Sequence, residues 1–314
     1  MTLLLWVGVF VVSLIALVKG ADWVLDGAKK IGLALGMSPF VVGVLILGFG
    51  TSAPELVSSV AGVLQGATEI PVANVVGSNI ANILLIIGFS AVIARGAYAA
   101  TKNLVDLEIP LLILSTFFFF GIVYDGTVTR IEGLFLLAGF LIYLLYNFFG
   151  NKSDASDASV SPEEKRVTPL DIVLLIFGFA LLILGAKYLV EAVLAISSGI
   201  GISVGIITLL AVAIGTSLPE LIVSAKAALQ GNAEVSLGNI FGSNIFNMLL
   251  VVGVPSLVTP LTVDATTAAI AIPAMLGVTV FFAISCLSNR IYVWEGAFYL
   301  LLYALFVVKI FGIA

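Results

Sequence analysis

Residues 50–88 and 215–253 of this chain align without a gap at a single offset of 165, and about half of the paired positions are identical. Thr51 pairs with Thr216, Glu55 with Glu220, Asn82 with Asn247 and Gly88 with Gly253. Gln65-Gly66 faces Gln230-Gly231, Gly77-Ser78-Asn79 faces Gly242-Ser243-Asn244, and a weaker echo sets Gly20-Ala21 against Gly185-Ala186. A match of this kind marks a duplicated unit, so the fold must be built from two like halves. Each half sinks a glutamate into apolar sequence: GFGTSAPELVSS from Gly48 to Ser59, and AIGTSLPELIVS from Ala213 to Ser224.

The surroundings of those glutamates are membrane-like. The chain is 61% hydrophobic and 10% charged, with a mean hydropathy of +1.25, where a soluble domain carries about 25% charged residues. A net charge of −5, part of it in one polar segment, suggests no nucleic-acid partner. The single cysteine, Cys286, excludes an internal disulfide and a thiolate metal cluster. The absence of histidine removes the usual transition-metal ligand and proton shuttle. Leu3 to Val18 lacks the basic start and small-residue cleavage signature of a signal peptide and is expected to be retained as a first span.

A helix needs about 20 mostly apolar residues to span a bilayer. Cutting at charged residues and at Gly, Pro and Asn gives ten spans: 2–20, 38–64, 71–94, 105–124, 131–149, 169–190, 203–230, 235–258, 265–286 and 291–312. The expected fold is an all-α integral membrane protein of ten transmembrane helices, with helices 2 and 7 interrupted near the midplane. Residues 1–150 form a first five-helix repeat, 151–168 a polar cytoplasmic linker and 169–314 a second five-helix repeat. Five crossings per unit is odd, so the second copy enters from the opposite side and the repeats are inverted. With the N-terminus outside, Lys19, Lys29, Lys30, Arg95, Lys102, Lys152, Lys165, Arg166 and Arg290 face the cytoplasm. Arg130, Lys187 and Lys309 then lie outside and Lys226 within a span, so positive charge favours both termini extracellular.

Buried carboxylates cost roughly 2.5–3.5 kcal/mol on insertion scales, and both copies keep the devices that could offset it. Pro54 and Pro219 remove a donor and clash with the carbonyls of Gly50 and Gly215, so a kink and freed carbonyls are expected beside each glutamate. Hard cations take carbonyl, hydroxyl and carboxylate oxygens. Ser52, Glu55, Ser217 and Glu220 lie within about a turn of the break. Ser78 and Asn82, and likewise Ser243 and Asn247, are four apart and share a helix face. Asn79 and Asn244 are expected to make helix–helix hydrogen bonds, and Asn74 and Asn239 to cap or buttress their helices. A kink or small residues in one copy would be ordinary packing; matched carboxylate, kink, hydroxyls and asparagine in both copies point to a cation site. Glu69 and Glu234 follow glycines in short loops and read as solvated.

GTSAPE with GSNIAN, and GTSLPE with GSNIFN, resemble the two α-repeats of the cation/calcium antiporter superfamily, nearest to the prokaryotic sodium/calcium exchangers. The resemblance implies alternating access, with the first and sixth spans sliding over a core. It implies that Glu55 and Glu220, with Thr51 and Thr216, ligate Ca2+. It further implies that Na+ uses these glutamates with Ser52, Ser78, Ser217, Ser243 and the carbonyls of Gly48 and Ala213, while Asn82 and Asn247 line the middle. Proton/calcium members carry a histidine after the glutamate, absent here, and potassium-dependent members carry aspartate where this chain has Asn247. Two carboxylates balance one Ca2+ or two Na+, so the loads compete and a third Na+ leaves the core net positive.

The expected function is therefore electrogenic Na+/Ca2+ antiport in the plasma membrane, by a chain that works as a monomer in the lipid bilayer. It is not expected to be an enzyme or to carry a cofactor; Na+ and Ca2+ are its cargo. H+-coupled exchange of Ca2+ or another divalent cation is the alternative, and a cation channel comes after it. A hydrolase using Ser52 or Ser217 lacks a base.

Overall fold

The computed structural model describes residues 3–34, 51–94, 98–99, 108–150 and 167–312. Gly48, the first half of the expected second span and most of the polar segment lie outside them. The described chain is helical apart from two short ladders. In order it runs α1 (Leu3–Ala34), α2 (Ala53–Leu64), α3 (Ile70–Ile93), α4 (Ile109–Val123), α5 (Arg130–Gly150), α6 (Pro169–Ile200), α7 (Val204–Thr216), α8 (Leu218–Leu229), α9 (Ala233–Val258), α10 (Thr267–Leu287) and α11 (Val293–Ile310). Seven of these are long and apolar enough to cross a bilayer, and α7 with α8, bent by 45° at their junction, makes an eighth.

Burial sorts the helices into two layers. In the apolar 18-residue stretch of each helix, 78% of α3 and 83% of α9 is buried, against 17% of α1 and 28% of α6. Apolar helices enclosed on all sides must form the centre, and helices that show apolar residues outward must meet lipid. Val72, Val76, Ile80 and Ile87 of α3 pack in one core with Ile240, Phe241, Ile245 and Phe246 of α9. This central pair carries the duplicated Gly-Ser-Asn sequence.

α1 and α6 form an outer pair of 32 residues each. A Cβ at Gly20 would strike the Gly178 carbonyl, and one at Gly185 would strike the backbone of Leu17. These repeat-paired glycines thus let the two backbones touch. The pair is tied at one end by Lys30 Nζ to Asp171 Oδ1, 2.5 Å, where Thr168 and Asp171 close a capping box. Both helices outrun their expected spans. Charge was the wrong place to cut: Lys19 is answered one turn on by Asp22 at 3.2 Å, and Lys187 by Glu191 at 3.9 Å, so the helix continues through both. Lys19 accordingly sits inside α1 and not in a loop. At 1.5 Å per residue each helix is about 48 Å long, beyond a hydrocarbon core of about 30 Å.

The ladders are two residues per strand. β1 (Tyr98–Ala99) pairs antiparallel with β4 (Arg290–Ile291), and β2 (Thr127–Val128) with β3 (Leu261–Thr262). Thr262 N also donates to the Thr68 carbonyl at 3.3 Å, joining the α2–α3 connection to β3.

Candidate functional site

The break between α7 and α8 falls at Ser217 (φ −81°, ψ 8°), and α2 begins after Ser52 in nearly the same conformation (φ −92°, ψ 9°). Pro54 and Pro219 lie in the first turn of the following helix. Proline at that position is pre-organised for a helix start, so Pro219 opens the second arm of a helix bent by 45°, at the interruption expected there; Gly50 lies outside the described residues. The missing Pro219 N–H still leaves the Gly215 carbonyl without its helical donor.

Around this break the two repeats exchange hydrogen bonds. Ser52 Oγ donates to Glu220 Oε1 at 3.3 Å, and Ser217 Oγ donates to Glu55 Oε1 at 3.2 Å. Ser243 Oγ reaches the same Glu220 oxygen at 3.3 Å and pairs with Thr51 Oγ1 at 3.1 Å. Each carboxylate is thus held by a hydroxyl of the opposite repeat. Ser78 Oγ donates to the Ala213 carbonyl at 3.4 Å, which also accepts from Ser217 N and from Thr216 Oγ1. Of the residues expected at the site, Glu55, Ser52, Ser78, Asn82, Ala213, Thr216, Glu220, Ser243 and Asn247 have no exposed surface, Ser217 has 2% and Thr51 has 8%. Gly48 lies outside the described residues.

The asparagines complete the lattice. Asn82 Nδ2 donates to Asn244 Oδ1 (2.9 Å) and Asn247 Nδ2 to Asn79 Oδ1 (3.1 Å), while Asn79 Nδ2 donates to the Asn244 carbonyl (3.2 Å). Asn79 and Asn244 do bridge helices, and in doing so they orient Asn82 and Asn247. Both oriented residues sit in π-helical stretches, 81–87 and 247–251, a widened geometry frequent at functional sites. Asn74 and Asn239 buttress a different helix from the one expected. Asn74 Nδ2 donates to the Glu55 carbonyl at 3.3 Å and to Ser58 and Ser59; Asn239 Nδ2 donates to Ser224 at 3.2 Å. Ser58, Ser59 and Ser224 escaped the sequence reading because serine is an unremarkable residue in a membrane helix.

One donor of this lattice, Asn244 Nδ2, is left unbonded, and beside it stand four oxygens of the expected site. Glu55 Oε2, Glu220 Oε2, Asn82 Oδ1 and Asn247 Oδ1 are buried and have no hydrogen-bond partner among the described residues. All four are acceptors. Buried polar atoms are nearly always satisfied, and two carboxylate with two amide oxygens form the donor set that a hard cation recruits.

Packing protects the site as well. A Cβ at Gly77 would collide with the Leu209 carbonyl and with Ala213 Cβ, so glycine lets α3 lie against α7 just before the break.

The family pattern described as "Sodium/calcium exchanger protein" matches residues 5–149 and 170–312. The chain belongs to the sodium/calcium exchanger family. Among relatives of this exchanger chain, "Putative antiporter CaxA" of Alkalimonas amylolytica is 38% identical over 82% of each chain. "Sodium/calcium exchanger MaX1" of Methanosarcina acetivorans is 31% identical over 97% of this chain and 98% of its own. A structure of the sodium-calcium exchanger NCX_Mj soaked with Na+ and Sr2+ aligns at a TM-score of 0.68, with 31% identity over 97% of this chain and 98% of that one.

Proposed function

We propose that the protein is a Na+/Ca2+ antiporter whose single core site, built on Glu55 and Glu220, holds either Na+ or Ca2+ and is exposed to the two sides of the membrane in turn. The observation that carries this reading is the set of four buried, acceptor-only oxygens, two from each repeat. Relatives named sodium/calcium exchanger along nearly the whole chain support the choice of cargo. Thr51, Ser52, Ser78, Thr216, Ser217, Ser243 and the carbonyls of Gly48 and Ala213 supply the neutral ligands. The carbonyl of Ala213 and the hydroxyls exchange their present hydrogen bonds for a cation when loaded.

Ten crossings in two inverted repeats is the topology of this reading, and loop pairing supports it. β2 and β3 are separated by α5, α6, the α7–α8 pair and α9. Strands can pair only on one side of a membrane, which requires an even number of crossings; the bent α7–α8 pair must therefore count as one. β1 and β4 give the same parity. The Lys30–Asp171 and Thr68–Thr262 contacts join ends that this layout also puts on one side. The side holding Lys29, Lys30 and Arg290 is the cytoplasmic one, which leaves both termini outside the plasma membrane. A monomer contains every residue the site uses.

Radiolabelled Ca2+ flux into Na+-loaded proteoliposomes under a clamped potential tests the proposal. Uptake that requires the outward Na+ gradient and rises with an inside-negative potential is expected. Uptake driven by a pH gradient without Na+ would instead establish H+ coupling, and uptake indifferent to Na+ and potential would refute the proposal.

A further inference from the structure

The two repeats differ sharply at one seam. α2 is sealed against α6: Ala53, Val57 and Ala61 pack on a core that includes Ala186, Leu189 and Val193. Ala61 also touches the cluster of Ala67, Ile70 and Val190. Gln65 Nε2 then donates to the Lys187 carbonyl at 3.1 Å. The repeat offset maps this seam onto α8 and α1, where the helices are parted by a cavity of about 770 Å³ reaching from Asp22 and Asp26 to Thr51. Leu218 and Ile222, the counterparts of Ala53 and Val57, are 36% and 63% exposed.

The open seam also carries different chemistry. Ala61 is matched by Lys226, which lies one helical turn beyond Ile222 on the same face. Val190, in the cluster that Ala61 packs against, is matched by Leu25, with Asp22 and Asp26 in place of Lys187 and Glu191. Lys226 is exposed, and neither it nor Asp26 makes an ion pair among the described residues. Asp22 is held by Lys19.

We propose that Lys226 is a positioning residue for transport that latches the α1–α8 seam shut. When that seam closes on the geometry the α2–α6 seam already has, the Lys226 ammonium seats between Asp22 and Asp26, and Gln230 takes the role of Gln65 against the Asp22 carbonyl. One mouth of the protein is therefore sealed by apolar packing and the other by an ion pair facing water. An ion-pair seal weakens with salt and an apolar one does not. This inference rests on the alternating exposure proposed above, which makes the ionic mouth the cytoplasmic one.

Disulfide trapping reads the closed seam directly, because the sole native cysteine, Cys286, is buried. Val24→Cys with Ile222→Cys places thiols at the counterparts of Leu189 and Val57. Oxidative cross-linking of this pair is expected to slow about two- to five-fold when Lys226→Ala, or Asp22→Asn with Asp26→Asn, is added, the range for a partly exposed ion pair. Lys226→Arg should restore the rate, and raised salt should slow the parent but not Lys226→Ala. Equal rates with and without Lys226, or no cross-linking in the parent, would overturn the latch. Na+-driven Ca2+ uptake by the reduced pair separates the two claims: if it fails while cross-linking behaves as expected, the cargo assignment falls and the latch stands.

Discussion

Glu55→Gln and Glu220→Gln are each expected to lower Na+-driven Ca2+ uptake by at least about 30-fold. Glutamine keeps the shape and an acceptor for Ser217 or Ser52, so the fold survives, but the core retains a single negative charge against a divalent ion. Truncating one partner of a buried charge pair costs about 2–5 kcal/mol, and the lower figure already gives that factor. Both substitutions should be severe because each carboxylate accepts from a serine of the other repeat on Oε1 and has an unbonded Oε2, although Glu220 Oε1 also accepts from Ser243 and Glu55 has no matching bond. Initial rates in proteoliposomes, normalised to protein, provide the check. A large loss in one variant with normal transport in the other would mean that the carboxylates do not share a site.

Gly77→Ala is expected to have the second largest effect, on stability first and on transport as a consequence. The added methyl meets the backbone carbonyl of Leu209 and the Cβ of Ala213, neither of which can rotate away, and overpacking of this kind costs typically 1–3 kcal/mol. To relieve it α3 must move off α7, which pulls Ser78 from the Ala213 carbonyl and disturbs the neighbouring carboxylate lattice. Thermal melting in detergent should show a clear fall in Tm. Gly121→Ala is the control: a Cβ there meets nothing within 4 Å, and its Tm should not fall. Unchanged melting of Gly77→Ala would contradict the close α3–α7 contact.

Much of this arrangement was legible in the sequence, for reasons that differ between residues. The repeat offset was enough to pair Glu55 with Glu220 and Asn82 with Asn247, because duplicated ligands leave duplicated letters. Helix–helix bonding by Asn79 and Asn244 followed from their lying off the face of Ser78 and Asn82. The exchange of serines between repeats was not legible, since it depends on where Ser52 and Ser217 meet the opposite carboxylate in space. Nor was the role of Pro54 and Pro219, which looks the same in sequence whether proline kinks a helix or starts one. Spans ended at residues 20 and 190 came out short because ion pairs one turn apart, Lys19 with Asp22 and Lys187 with Glu191, let a helix run through its charges. The open seam at Lys226 depends on conformation, and sequence carries no record of which mouth is closed.

The central claim is one site with two carboxylates and alternative loads. Equilibrium binding of radiolabelled Ca2+ to the purified protein, titrated with Na+, tests it most directly. The account predicts one Ca2+ per chain, complete displacement by Na+, and loss of binding in both Glu55→Gln and Glu220→Gln. Ca2+ that stays bound at saturating Na+, or that binds normally to either variant, would contradict it.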